Sequence, residues 1–345
     1  MLHPYPLDLG LLVPPAVRPP EDRGLTRDAV KLLAIDSHSG QFRDHPFQDI
    51  VDLLNPGDVL VVNNSATIPA ALDATVANIP HRLHLAARLA SRRVLVELRS
   101  ASGAPDRTAL SPGQPVHVRD NRGCTWGKGV VVEPFHPKSR LWAIDCDQDW
   151  YAGALKHGRP IRYRYVARPY PIETYHTVFG CIPGSSEMPS ASRPFTPAIV
   201  DRLVKKGVAV APLTLHATVS SHEVEDPLDL PLIPEWYDIP GETQSLVEAA
   251  HRAHRPIVAL GTTVVRALET WASGLPPRGW TTHLVTPDAP PQIVTSLITG
   301  LHDSFTSHLW LLYAFLDPGV LKRAYHHAAE RGYLWHEFGD VSLIR

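Results

Sequence analysis

Five stretches of this chain carry residue types whose order could do chemistry. In PIVALGTTVVRALETWAS an apolar run meets Gly261, Thr262 and Thr263 before a helical pattern begins. The glycine permits a tight turn, and the threonines can cap the helix and leave backbone N–H groups for an anion. Arg266 and Glu269, three residues apart, share one face of that helix. Together they suit a carboxylate or phosphate; the plainer alternative is a capped helix with a surface ion pair. In LTLHATVSSHE His216 closes an apolar run, and in LITGLHDSFTSH His302 follows a glycine just past another. Both imidazoles are candidate proton acceptors, although a lone loop histidine is more often simply solvated.

The fourth stretch, PGSSEMPSASRPFT at 183–196, runs into a helix start. Its small residues allow close backbone approach, Glu187 could accept from a ribose or amine, and Arg193 could clamp a carboxylate. A capped, solvent-facing connector is the alternative. The fifth, KHGRPIRYRYVARPY at 156–170, interleaves Arg162, Arg164 and Arg168 with Tyr163, Tyr165 and Tyr170 and holds no acid. That pattern suits phosphates and unstacked bases, or else a strand with one basic, solvated face.

These residues need elements to hold them. DIVDLLNPGDVLVVN reads as a short helix, a turn and an apolar strand. From about 71 to 167, segments such as RVLVELRS, PVHVRD and KGVVVEPF alternate apolar and polar residues between Gly, Pro and Asn turns, the pattern of a small antiparallel β unit. Beyond 170 strand and helix alternate. TPAIVDRLVKKG has Thr196 as cap, Pro197 in the first turn and Gly207 as the stop. Alternating β and α implies a mainly parallel core with its site at the carboxyl ends of the strands. The expected architecture is therefore α/β: a mixed α/β domain formed by residues 1–70 and 168–345, carrying a small all-β domain inserted over 71–167.

Composition narrows the class. A 345-residue chain with 44% hydrophobic residues can bury substantial cores, and a net charge of −2 gives no global field for nucleic acid or anionic membrane. Three distant cysteines argue against a disulfide framework and for a reducing compartment. MLHPYPLDLG lacks the regions of a signal peptide, and the apolar run LWLLYAFL is too short to span a bilayer, so a cytoplasmic location without membrane contact is expected. Nineteen histidines show no pair at metalloprotease spacing, and no metal is expected.

Six segments, in order, resemble the S-adenosylmethionine:tRNA ribosyltransferase-isomerase family of queuosine synthesis. LNPGDVLVVNNSATIPAAL is similar to L-N-P-G-D-L-L-V-x-N-[DN]-T-R-V-I-P-A-R-L, and YHTVFGCIPGSSEMPSASRPFT to Y-Q-T-V-[YF]-x-x-x-x-G-[AS]-V-A-A-P-T-A-G-L-H-F-[TD]. LTLHATVSS resembles [VT]-T-L-H-V-G-x-G-T, GTTVVRALE resembles G-T-T-x-[VT]-R-x-L-E, ITGLHDSF resembles V-T-N-F-H-L-P, and YLWHEFGD resembles Y-R-F-x-S-[YF]-G-D. The resemblance implies a barrel-like α/β domain with an inserted β domain. It also implies a reaction in which the sulfonium of S-adenosylmethionine acidifies C5′, a base forms an ylide, and the ribosyl unit moves to an aminomethyl-deazaguanine in tRNA. Such a site needs a base, a carboxylate anchor and an adenine pocket.

The departures fall at the motif centres. Ala66 and Ala71 stand where the pattern has arginine, Pro194 where it has histidine, Ser192 where it has glycine, and Glu187 where it has alanine. Thr218 and Ser220 replace two glycines, whereas Tyr175, Thr177, His216, Gly261, Thr262, Thr263, Arg266, Glu269, Thr299, His302, Gly339 and Asp340 match. The expectation is a divergent enzyme that binds S-adenosylmethionine, or a close sulfonium nucleoside, with an altered acceptor. His216, His302 and Glu187 are its base candidates. Thr262, Thr263 and Arg266 would hold the methionine carboxylate, and Glu269 would orient the ribose or Arg266. Tyr175, Thr177, Ser190, Arg193, Gly261 and Thr299 complete the substrate contacts. Glu187, Arg193 and Asp303 are candidate replacements for lost groups. Two alternatives remain: orthodox tRNA modification using Arg162, Arg164 and Arg168, and a nucleoside-binding protein without catalysis.

Overall fold

The computed structural model describes residues 13–101, 103, 104, 106, 110–219, 232–302 and 307–345. The chain enters through β1 (Lys31–Ile35) and β2 (Phe42–Pro46), an antiparallel pair, followed by the single turn α1 (Ile50–Leu53). Next comes β3 (Val59–Asn63), whose five residues are all buried, as the run VLVVN demands. After β4 (Ser65–Thr67) the alternating segments form β5 (Ala71–Val76), β6 (Ile79–Ala90), β7 (Arg93–Ser100), β8 (Pro115–Arg119), β9 (Thr125–Pro134) and β10 (Leu141–Cys146). These six close into an antiparallel barrel, ordered β10-β7-β6-β5-β8-β9 and sealed where β10 pairs with both β7 and β9. Closure removes the sheet edges that a free meander would expose. Leu72, Leu83, Val96, Val118 and Ile144 fill its interior. Trp150 packs onto them from α2 (Trp150–His157), which Asp149 caps by accepting from the amides of Tyr151 and Ala152.

The remaining elements are β11 (Ile182–Ser185), α3 (Pro197–Lys206), β12 (Ala209–Leu215), β13 (Glu235–Asp238), α4 (Gly241–Arg252), β14 (Ile257–Leu260), α5 (Thr262–Ala272), β15 (Arg278–Thr281), β16 (Ser296–Gly300), α6 (Ser307–Tyr313), α7 (Pro318–Glu330) and β17 (Val341–Ile344). Helix α3 starts and stops as its sequence dictates. The Thr196 hydroxyl accepts from the Ile199 amide, and Gly207 takes the left-handed conformation at φ 94°. A nine-stranded sheet runs β15-β13-β12-β3-β14-β16-β17-β1-β2. Its central strands β12, β3, β14 and β16 are parallel, so their carboxyl ends share one edge. The expected fold class, mixed α/β with an all-β unit, is thus present, and the all-β unit is the closed barrel. The chain at 161–170 is turn and bend rather than a basic-faced strand. Among the described residues, no helix is long and apolar enough to cross a membrane.

Candidate functional site

The four parallel strands deliver four junctions to one edge, and a single side chain ties three of them together. Asn63, fully buried at the end of β3, accepts from the amides of Ser65 and Leu215. Its amide donates to the Leu215 carbonyl and to the Thr263 hydroxyl. The end of β12 is thereby locked beside the start of α5. Here His216 Nδ1 lies 2.8 Å from the Ser65 hydroxyl, which is 2.7 Å from that of Ser185, and Ser185 accepts from the Ala217 amide. The imidazole stacks on Trp236 at 5.4 Å, and a Cβ at residue 184 would collide with its ring, so Gly184 is what lets β11 pass so close. Burial, with Arg88 adding to it, pushes the His216 pKa down to about 4. The ring is therefore neutral at physiological pH, the form a proton acceptor needs.

At the start of α5 the structure corrects the expected roles. Gly261, at φ 92°, is the N-cap, and no side chain caps the helix; Thr262 and Thr263 are its first two residues. The Gly261 amide donates to Ile298 on β16, which brings the α5 terminus into the site. Arg266 does not pair with Glu269. It pairs with Glu235 on β13 and donates to the His283 carbonyl, while its Nη2 is buried without a hydrogen-bond partner. Glu235 also accepts from the amide and hydroxyl of Thr218, at 3.0 and 3.1 Å. Glu269 is buried, and its two oxygens accept from the amides of Gln292, Ile293 and Val294. A carboxylate saturated in this way shapes the chain entering β16; it is not placed to orient a ribose.

A second cluster forms where the 183–196 loop meets the turn at 334–340. Asp340 closes that turn by accepting from the amides of Lys31 and Leu334, and Gly339 packs against the Leu334 carbonyl where a Cβ would not fit. The turn holds His336 at φ 75°, a left-handed conformation unusual for a residue with a side chain. Tyr163 donates to Glu187, and the Tyr165 hydroxyl bonds His336 Nδ1. The tyrosine rings stack 5.7 Å apart, with the His336 ring 4.7 and 5.0 Å from them. Glu337 is 6% exposed and its Oε2 has no hydrogen-bond partner; burial, then the nearby Glu187, drive its pKa well above the usual carboxylate range. The hydroxyls of Tyr175, Thr177 and Ser192 are also buried and unpartnered.

His302 belongs to the same edge. Its Nε2 lies 2.8 Å from the Thr299 hydroxyl, its ring stacks on His308 at 4.9 Å, and its amide donates to Tyr325. Burial depresses all three histidines: His302 falls well below 6.5, His308 to about 4 and His336 to about 3. Thr299 thus orients His302. Ser190 sits half-buried in the turn before α3, near Gly300.

Two arginines are not placed as expected. Arg193 is 3% exposed, bonded through Nη2 to both oxygens of Glu21 and through Nε to the Thr174 carbonyl, so it is spent on the fold rather than clamping a ligand. Arg168 pairs with Asp22 and lies over Tyr170. Arg162 and Arg164 are exposed and make no ion pair among the described residues, while the tyrosines between and after them turn inward to the cluster. Asp303, Ser220 and Ser221 lie outside the described residues. Asn63, Ser65, Ser185, Glu235, His308, His336 and Glu337 were missed by the sequence reading. For Ser65 a signal existed, since it keeps the hydroxyl of the pattern's threonine; for Glu235 and His308 there was none.

A family model described as "Queuosine biosynthesis protein" matches residues 14–344. The S-adenosylmethionine:tRNA ribosyltransferase-isomerase of Thermotoga maritima is 31% identical over 337 residues, covering 92% of this chain and 93% of the relative. Its counterpart in Pelobacter propionicus is 31% identical over 332 residues, covering 92% and 93%. The crystal structure of S-adenosylmethionine tRNA ribosyltransferase from Thermotoga maritima aligns with a TM-score of 0.50 at 25% identity, covering 92% of this chain and 93% of that one. With a match across nearly its whole length and relatives named as transferase–isomerase enzymes that use S-adenosylmethionine, this chain belongs to the queuosine biosynthesis protein family.

Proposed function

We propose that this enzyme binds S-adenosylmethionine, or a close sulfonium nucleoside, at the carboxyl edge of β3, β12, β14 and β16, and transfers or rearranges its ribosyl unit to an acceptor different from that of its relatives. The observation that carries the reading is the neutral His216 fixed through Ser65 and Ser185 beside the start of α5. In the tautomer whose Nδ1–H donates to Ser65, Nε2 is the acceptor for a C5′ proton that the sulfonium has acidified. The backbone amides of Thr262 and Thr263, with the unpartnered Nη2 of Arg266, suit the methionine carboxylate. An altered acceptor is supported by Ala66, Ala71, Pro194 and Glu187, which change the charge and reach of the groups at the motif centres.

The test is incubation of the pure protein with S-adenosylmethionine in deuterated buffer, with and without acceptors, read by mass spectrometry. Deuterium at C5′ and release of adenine are expected, both lost in His216→Ala. Absence of binding, exchange and adenine release under every condition sinks the reading. A tRNA acceptor is favoured by one observation, the exposed Arg162 and Arg164, which make no ion pair among the described residues and alternate with the less exposed Tyr163 and Tyr165. It predicts salt-dependent tRNA binding that weakens in Arg162→Ala and Arg164→Ala.

A further inference from the structure

Arg266 on α5 and Glu235 on β13 form an ion pair at the carboxyl edge of the sheet, with side chains 18% and 6% exposed. A carboxylate has about four lone-pair sites. Glu235 Oε1 spends two of them on the amide and hydroxyl of Thr218, at 3.0 and 3.1 Å, and Oε2 spends one on Arg266 Nη1. Position 218 is glycine in the pattern quoted above, so the hydroxyl that fills Oε1 is a feature of this chain. One acceptor site remains, on Oε2. The guanidinium is pinned through Nη1 to Glu235 and through Nε to the His283 carbonyl, at 3.2 Å, while Nη2 is buried without a hydrogen-bond partner. A buried N–H left unmet costs free energy, so a ligand group that accepts from it gains what the protein forgoes.

There is space beside the guanidinium. A cavity of about 30 Å³, room for a small polar group, is lined by Thr262, Arg266 and His308 together with the aliphatic side chains of Leu284, Val285 and Leu311. Burial keeps the His308 ring neutral, and Arg266 and Glu235 cancel one another, so the pair carries no net charge. A phosphate or a lone carboxylate would bring excess negative charge into these apolar surroundings. A group that holds both an ammonium and a carboxylate brings none. It also supplies a donor for Glu235 Oε2 and an acceptor for Arg266 Nη2.

We propose that Arg266 and Glu235 together recognise a zwitterionic α-amino-acid group, Arg266 Nη2 donating to its carboxylate and Glu235 Oε2 accepting from its ammonium. This assignment rests on the function proposed above, which puts the methionine end of the nucleoside at Arg266, and it makes Glu235 a specificity-determining residue. Calorimetric titration of the full chain with two sets of probes tests it. One set is S-adenosylmethionine with its decarboxylated and deaminated forms; the other is L-methionine with its decarboxylated and deaminated counterparts. In the parent protein the intact member of at least one set binds about tenfold or more tightly than either truncated member. In the isosteric Glu235→Gln the advantage over the deaminated member falls to near unity, while the advantage over the decarboxylated member persists. A purely structural role for Glu235 would weaken all three members together, and that result overturns the assignment. So does an intact member no tighter than its deaminated counterpart in both sets, or an advantage unchanged in Glu235→Gln. Should that variant melt early, the ranking of the probes in the parent decides alone. If no nucleoside binds while the methionine set shows the advantage and Glu235→Gln removes it, the site stands and the nucleoside function falls. If S-adenosylmethionine exchanges deuterium at C5′ yet binds no more tightly than its deaminated form, the function stands and the site falls.

Discussion

The barrel and the carboxyl edge of the sheet both bury charge, but in opposite ways. In the barrel, Glu97 is 1% exposed and faces Arg99 at 2.7 Å, Arg140 at 3.1 Å and His84 at 3.7 Å. At the sheet edge Glu337 is almost as buried, yet its electrostatic neighbours are another acid and an arginine already taken by Glu21. In the barrel the buried acid is answered by cations, although the indole nitrogens of Trp126 and Trp150 are buried there without hydrogen-bond partners. The sheet edge leaves polar groups unanswered: Glu337 Oε2, the hydroxyls of Tyr175, Thr177 and Ser192, and Arg266 Nη2. Buried polar groups without partners cost free energy in either region, so what separates the two is how the buried acid is balanced.

The sharpest way to break this comparison is to neutralise each acid in turn. Glu97→Ala removes the buried carboxylate that Arg99 and Arg140 share and is expected to cost about 3–5 kcal/mol in urea unfolding. Glu337→Ser removes an unsatisfied acid and is expected to be neutral or stabilising. Equal losses from the two substitutions would erase the distinction drawn here. His216→Ala comes next, with adenine release expected to fall about 100-fold or more while the urea midpoint barely moves.

Acid should affect the sheet edge through its histidines. His216 and His308 are held near 4 and His336 near 3, against 6.5 in the unfolded chain. Between those limits the unfolded chain binds more protons, so the stability these groups allow is complete above about pH 6.5. It declines as pH falls toward 4, by roughly 1–3 kcal/mol per fully depressed group. Glu337 acts in the opposite sense, because its raised pKa contributes stability at acid pH that is lost as pH rises above the ordinary carboxylate range. Asp340, raised by burial, acts in the same sense as Glu337, but the depressed histidines outnumber these two acids, since His302 and His84 in the barrel move with the other three. Urea midpoints at pH 7.5, 5.5 and 4.5 should therefore decrease in that order, and a flat profile would show that the histidines are not held neutral. The smallest effect is expected at Arg164→Ala, within about 0.5 kcal/mol of the parent, since the side chain is exposed and makes no ion pair among the described residues.

Local sequence was sufficient wherever the deciding physics is local. VLVVN had to be a buried strand, TPAIVDRLVKKG carried its own cap and stop, and the alternation after residue 71 announced an antiparallel β unit. Alternating strand and helix also implied a parallel core, and the structure gathers His216, His302 and the start of α5 at the carboxyl ends of its strands. Partner choice could not. Arg266 and Glu269 share a helix face, yet Arg266 reaches Glu235, 31 residues away, and Glu269 is saturated by the amides of residues 292–294. Spacing within a helix says which side chains are neighbours, but not which stronger partner another strand will deliver. The serine-rich loop shows the same limit, because Glu187 meets Tyr163 and comes near Glu337 only in the folded chain. Their meeting depends on the loop before α3 and the turn closed by Asp340 folding against one another, and tertiary packing alone decides that.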